Sequence, residues 1–203
     1  MPKLKLTKTS LKKQRDDLKR FQRFLPTLEL KKEQLIVEMR RVEAEFDKKI
    51  DEEEKLRNNV EKWIELFSEP VGLENMVALT DVITKEGNIA GVYIPIFIEA
   101  KFEISEYDLL KTPLWVDKGV EVIKQLATLH AEREILKRQK ELLQHELRVT
   151  IQRINLFDKV KIPECKENIR KIRIYLGDQD ANAVARGKIA KTKLEDVQIG
   201  TYV

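Results

Sequence analysis

Apolar residues recur along this chain at heptad spacing over two long stretches, and the glycines leave both of them untouched. The seven glycines lie at 72, 87, 91, 119, 177, 187 and 200, so residues 1–71 and 120–176 contain none. In the first tract one row reads Leu11, Leu18, Leu25, Lys32, Met39, Phe46, Glu53, Val60, Phe67, and its companion reads Gln14, Phe21, Leu28, Leu35, Val42, Lys49, Leu56, Trp63. Apolar residues fill 7 of the 9 positions in the first row and 6 of the 8 in the second, and the residues between are mostly charged. That pattern predicts one long amphipathic helix with a narrow apolar stripe. The second tract carries Val122, Leu126, Leu129, Leu136, Leu143, Leu147, Ile154 and Phe157 on one face. Past Phe157 the phase slips to Ile162, Cys165, Ile169, Ile172 and Leu176, a stutter that alters the local supercoil without ending the helix.

A stripe this narrow needs a partner, because alone it would stay in water. Pairing within one chain requires an antiparallel hairpin of helices. Setting Phe67 beside Val120 pairs positions whose numbers sum to about 187, which places Leu11 opposite Leu176, Leu35 near Arg153 and Ile154, and Pro26 beside Pro163, where two prolines at one level predict a shared bend. At 1.5 Å per residue, Leu6 to Phe67 would extend roughly 90 Å, and a rod is the expected shape. The seam is assigned to Leu11, Leu18, Leu25, Leu28, Leu35, Met39, Val42 and Phe46 on the first helix and Leu136, Leu143, Leu147, Ile154, Ile169 and Ile172 on the second.

Residues 68–119 read differently. Pro70, Gly72, Pro95, Pro113 and Gly119 punctuate them, and Val77–Thr84 and Ile89–Ile104 are rich in β-branched and aromatic residues. Lys85-Glu86-Gly87-Asn88 is the expected turn of a β-hairpin. Pro95 belongs on an edge, and a short helix is expected near Glu106–Leu110. The predicted layout is therefore mainly α: a coiled-coil helix over 1–67, a small hairpin-containing knob at one end of the rod over 68–119, a second coiled-coil helix over 120–176, and a tail over 177–203, helical to about 194.

Composition agrees. Of 203 residues, 36% are charged and only 13 are Gly or Pro, too few for a turn-rich sandwich or barrel. The single cysteine, Cys165, excludes an internal disulfide framework and reads as a packed apolar residue. The N-terminus has no signal-peptide stretch, and the most hydrophobic run, Ile89–Ile98, is far shorter than the roughly 18 residues that cross a bilayer. A soluble chain, attached to a membrane only through partners, is the expectation.

Charge changes the picture at one tip. Residues 1–23 hold nine cations against Asp16 and Asp17, a net of +7, so with a whole-chain net of +4 the other 180 residues sum to −3. Phe21 and Phe24 are the only aromatics nearby, too few to stack bases, and a solvated or protein-facing basic surface is preferred over nucleic-acid binding. Lys3, Lys5, Lys8, Lys12 and Lys13, with Lys188 in the tail, are the partner-facing candidates. Trp63 and Trp115 flank the knob and read as packing residues, with Trp115 alone open as a partner hot spot.

Catalytic chemistry is not visible. His130 and His145 lie fifteen residues apart, off one helical face, and a single cysteine completes no zinc set. Gly187-Lys188-Ile189 lacks the preceding glycine and following hydroxyl of a phosphate loop, and Asp51-Glu52-Glu53-Glu54 reads as a solvated face rather than a metal site. No catalytic residue, cofactor or metal ligand is assigned.

Three stretches resemble a known family. Leu18-Lys19-Arg20 followed by Leu28-Glu29-Leu30-Lys31-Lys32-Glu33-Gln34-Leu35 resembles the N-terminal helix of the D subunit of the V-type and archaeal A-type rotary ATPases. Asn88-Ile89-Ala90-Gly91-Val92-Tyr93-Ile94-Pro95 resembles its central "NI-x-GV-x-VP" segment, and Ile162-Pro163 with Ile169, Ile172, Tyr175 and Leu176 resembles its C-terminal helix. After Leu176 many members carry a Glu- and Arg-rich continuation, where this chain has Gly177-Asp178-Gln179-Asp180-Ala181-Asn182. The resemblance implies a bacterial member that serves as a non-catalytic rotor axle. Its coiled coil enters a catalytic hexamer of A and B subunits, a small F subunit grips the shaft, and a funnel-shaped component couples it to the ion-translocating ring. It also implies a place on the inner face of the cell membrane, without insertion, and without nucleic acid. A prefoldin-like chaperone or a generic coiled-coil adaptor is the alternative.

Overall fold

A computed structural model describes residues 4–61, 76–105, 112–113 and 115–200, with side chains to 193. Helix α1 spans Lys8–Glu61, strands β1 and β2 span Val77–Ile89 and Val92–Ile104, helix α2 spans Val116–Asn155, a π-helical segment covers Leu156–Lys161, and helix α3 spans Ile162–Gly200. The chain is mainly helical with a two-stranded antiparallel sheet in its middle. Trp63, Phe67 and the helix expected near Glu106–Leu110 lie outside the described residues. The chain divides into two compact units, one built from Lys31–Thr150, the other from Met1–Leu30 with Ile151–Val203.

In the unit of Lys31–Thr150, α1 runs antiparallel to α2. Lys31 pairs with Glu146, Glu43 with Lys140 and Lys49 with Glu132, so numbers rise on one helix as they fall on the other. Leu35, Val42 and Leu143 form the fully buried cluster, with Leu136 and Leu147 against it. The register differs from the one expected from the sequence. Leu35 packs with Leu143, eleven residues before Ile154. Eleven residues are three helical turns, so either register presents the same apolar stripe, and stripe periodicity alone cannot choose between them.

The hairpin expected in the middle of the chain is present, and its tip is packed. Ile89, Ala90 and Val92, at its tip, pack against the cluster of Leu35, Val42 and Leu143. Its turn is the two residues Ala90 and Gly91, with φ of 50° and 79°, a geometry that matches the right-handed twist of the strands it joins. The Asn88 Oδ1 accepts a hydrogen bond from the Gly91 N–H at 3.0 Å. Lys85–Asn88, the expected turn, lies within β1, where Gly87 pairs with Ile94. Gly-Asn looks like punctuation, but the tip needs two consecutive residues in the left-handed region, and these come three positions later. Two register shifts, between Leu79 and Asp81 and between Ile83 and Thr84, interrupt the ladder. Pro95, which cannot donate to a ladder, sits in β2 of a sheet whose strands are both edges, and its carbonyl accepts a hydrogen bond from Gln139 Nε2 of α2.

The unit of Met1–Leu30 with Ile151–Val203 is described by itself. Phe21 and Phe157 stack with ring centroids 5.1 Å apart, and Asn168 Nδ2 donates to Gln14 Oε1 at 3.3 Å. Ile162, Cys165, Ile169 and Ile172 are buried. This register brings Leu11 toward Lys171 and Ile172 rather than Leu176, and Pro163 toward Asp17 and Leu18 rather than Pro26. Consistently, the Asp17 carboxylate acts on the Cys165 thiol, whose pKa is pushed up first by burial and then by that charge. The two prolines do not share a level. The phase slip after Phe157 is taken up by the π-helical segment, where the Ile162 N–H bonds to the Phe157 carbonyl five residues back. The cause lies just downstream: Pro163 has no N–H, and in a regular α-helix its ring would meet the carbonyl of Lys159. A widened turn carrying one extra residue relieves that collision and re-aims the stripe onto Ile162, Cys165 and Ile169.

Candidate functional site

The positions where the seam is not apolar are informative. Four interrupt it: Gln14, Lys32, Lys49 and Glu53. Three of these reach across to the opposite helix. Gln14 meets Asn168, Lys49 Nζ lies 2.7 Å from Glu132 Oε2, and Glu53 Oε2 lies 2.7 Å from Arg133 Nη1. Lys31 to Glu146 and Lys140 to Glu43, both at 2.6 Å, add two more pairs in the unit of Lys31–Thr150. Along α1 the signs run plus, minus, plus, minus at 31, 43, 49 and 53, and the facing residues of α2 answer each one. A slip of one turn would set unmatched groups against each other.

The pairs are partly shielded, which strengthens them over fully exposed ones. The Glu132 carboxylate, 2.7 Å from the Lys49 ammonium, holds the Lys49 pKa above its ordinary 10.5. Glu52 accepts from the same ammonium and is held below its ordinary 4.5. The Glu132 Oε2 makes no well-angled hydrogen bond yet stands 2.7 Å from that ammonium, so its charge is balanced. One buried group has no such relief: the Thr150 hydroxyl is buried without a hydrogen-bond partner.

All fourteen seam residues assigned from the sequence are buried or half-buried in their own units. Leu35 and Leu143 are fully covered. Lys5, Lys8, Lys12, Lys13 and Lys188 are exposed, and Lys3 lies outside the described residues. Trp115 is half-buried at the start of α2, where its carbonyl accepts the Gly119 N–H at 2.9 Å. Sequence reasoning missed Gln139, Thr150 and Ile94 as buried residues and the cross-helix charge pairs. The non-apolar seam positions were the signal for two of those pairs.

Among the described residues no group of three or more His, Cys, Asp or Glu side chains is placed to hold a metal ion. Within the acidic run, Glu53 is committed to Arg133 and Arg57, and Glu52 to Lys48 and Lys49. His130 Nδ1 lies 3.0 Å from Arg133 Nη2. No described helix is long and apolar enough to cross a membrane.

The family model for the D subunit of ATP synthase matches residues 10–192. The V-type ATP synthase D subunit of Borreliella burgdorferi is 52% identical over 194 residues, covering 96% of each chain. Proteins of the same name from Chlamydia pneumoniae and Chlamydia felis are 34% and 32% identical, each match covering 95% of this chain and 93% or 94% of the relative.

Proposed function

The chain belongs to the family of ATP synthase D subunits, and from that membership we propose that it is the central rotor shaft of a V-type ATPase or ATP synthase, carrying torque between a catalytic hexamer and a membrane ion-translocating ring. It binds no nucleotide itself and catalyses nothing. Its partners are the A and B subunits of the hexamer, the F subunit on the shaft, and the funnel-shaped component that joins the ring. It lies in the cytoplasm against the inner face of the cell membrane, held there by the complex. The family match leaves the coiled-coil chaperone reading without support.

The observation that carries the mechanical part of this reading is the cross-linking of α1, α2 and the hairpin in the unit of Lys31–Thr150. A shaft under torque fails if its helices slide or splay. Here the cluster of Leu35, Val42 and Leu143 resists splaying, since each buried aliphatic side chain contributes about 1.5–3 kcal/mol. The alternating charges resist sliding. The Gln139 bond to the Pro95 carbonyl and the packed tip of the hairpin brace the pair from the side.

Affinity capture of the chain from native membranes, followed by mass spectrometry, tests the reading. Large nucleotide-binding subunits in fixed proportion to the chain are the expected result. Recovery of the chain without them, or with a spread of unfolded clients, overturns it.

A further inference from the structure

The hairpin does not follow the helices for its whole length. Ile94 and Ile96 share one face of β2 by their spacing, yet Ile94 is 2% exposed and Ile96 is 44% exposed. The packed contact of the tip is therefore lost within two residues. At the same level the ladder shifts register, between Ile83 and Thr84, which face Glu99 and Phe97. Gln139, buried and bonded to the Pro95 carbonyl, stands at the point of departure. A cleft of about 400 Å³ opens there between α1, α2 and β2.

The walls of the cleft are apolar and its rim is charged. Ile96 and Phe97 line it from β2, and Ile135 and Leu136, one turn from Gln139, line it from α2. Gly87 of β1 leaves room for the Ile96 side chain, since a Cβ there would stand 2.4 Å from Ile96 Cδ1. The charges at the rim are unequally committed. Lys49 and Glu132 hold each other at 2.7 Å, and Glu45 meets Arg41 at 3.4 Å. Lys48 reaches only Glu52, at 3.8 Å, and Glu52 already stands 3.1 Å from Lys49. The spare charge at the rim is positive.

We propose that this cleft binds one amphiphilic organic anion, its apolar body lying between β2 and α2 and its acidic group paired with Lys48. The volume falls within the roughly 300–1,000 Å³ of small-molecule sites, which are likewise mostly apolar with a few convergent polar groups. A small hydrophilic anion would leave the walls uncovered. An organic cation would have to compete with Lys49 for Glu132 and with Arg41 for Glu45. The site is built within the unit of Lys31–Thr150 and does not depend on the complex that the chain joins.

The test uses the full-length chain and two fluorescent probes, anilinonaphthalene sulfonate and phenylnaphthylamine, the same body without the acidic group. The sulfonate is expected to fill a single saturable site and to raise the thermal midpoint, because it binds the folded chain. The neutral probe is expected to bind about fivefold more weakly, the range that one exposed charge pair supplies. Lys48→Glu is expected to weaken the sulfonate about fivefold and to leave the neutral probe unchanged. The Lys48 side chain is 74% exposed, so this variant keeps the fold, and an unchanged urea midpoint verifies it. Ile135→Trp, which fills the cleft, is expected to weaken both probes about tenfold or more. Val184→Ser, at an exposed position of α3, is expected to change neither.

Binding that does not saturate at one site, equal affinity for the two probes, or a Lys48→Glu variant that holds the sulfonate as wild type does overturns the proposal. A loss on Val184→Ser as large as that on Ile135→Trp means that the probes sit on scattered exposed side chains, and overturns it as well.

Discussion

At the scale of single residues, the structure puts one polar atom under identifiable stress. The buried Thr150 hydroxyl has lost its water without gaining a partner, a loss that costs roughly 1–3 kcal/mol. Thr150→Val replaces the hydroxyl by a methyl of the same shape and is expected to raise the stability by about 1 kcal/mol, read from the urea midpoint at constant slope. Gly91, with φ of 79°, is the complementary case: Gly91→Ala is expected to lower stability by about 1–2 kcal/mol, because a Cβ is disfavoured in the left-handed region. Titration follows from the network around Lys49. A lysine whose pKa is raised by folding stabilises below its unfolded value of 10.5, and that stability disappears as pH climbs through the folded value. A carboxylate held low, as Glu52 is, stabilises above 4.5 and loses its contribution as pH falls through its folded value. Urea midpoints should therefore decline at both extremes, and Glu132→Gln should blunt the alkaline decline, since Glu132 is the leading cause of the Lys49 shift. At this scale the sequence was readable in an unexpected way: the flaws in the heptad, Gln14, Lys49 and Glu53, were the cross-helix links. Thr150 gave no sign, because nothing in its type or spacing distinguishes a buried threonine from an exposed one.

The helices, the strands and their order were legible because each obeys one period over many residues. The register was not legible. Leu35 against Leu143 and Leu35 against Ile154 differ by three whole turns, and only the charge pattern, Lys31 with Glu146 and Glu43 with Lys140, breaks the tie. A cysteine pair tests it directly: in a Cys165→Ser background, Leu35→Cys with Leu143→Cys is expected to oxidise readily, and Leu35→Cys with Thr150→Cys is not, because a disulfide needs Cα atoms within about 7 Å. The turn of the hairpin was misplaced for a related reason, since glycine with asparagine signals a turn without saying which of two neighbouring pairs takes it. The π-helical segment yields a sharper test. If it is an insertion forced by Pro163, deleting exposed Lys159 together with Pro163→Ala restores a regular helix and keeps both halves of the stripe in phase. That variant is expected to unfold within about 1 kcal/mol of wild type. Deleting Glu141 from α2 instead rotates everything beyond it by a quarter turn or more, and is expected to cost at least about 3 kcal/mol through displaced seam residues.

For the molecule as a whole, no phosphate loop or metal cluster is visible in the sequence, and isothermal calorimetry on the purified chain is expected to show no stoichiometric ATP binding. Torque transmission makes a further demand. If rigidity of the paired helices carries it, Leu143→Gly with Leu147→Ser, which opens the buried cluster and adds about 1 kcal/mol of helix penalty at position 143, should lower ATP-driven ion pumping in the assembled complex. Neutralising Lys3, Lys5, Lys8, Lys12 and Lys13 should lower it less once assembly is complete, because charges that speed an encounter need not bear load afterwards. Subunit stoichiometry must be matched in both arms. Normal pumping by the softened variant would place the torque on specific charge contacts instead.

The packing of the hairpin tip also has a meaning in time. Synthesis delivers α1 first, then the two strands, and the residues of α2 that complete the seam only afterwards. Between the appearance of Val92 and that of Leu143 lie about fifty residues, several seconds at the usual pace of about 5–20 residues per second. Throughout that interval Leu35 and Val42 would face water or a neighbouring chain, but Ile89, Ala90 and Val92, which share their cluster in the finished fold, are already at hand. The hairpin thus provides an early cover for a stripe whose permanent partner is still being made, and the nascent chain carries its own protection against premature association with another copy.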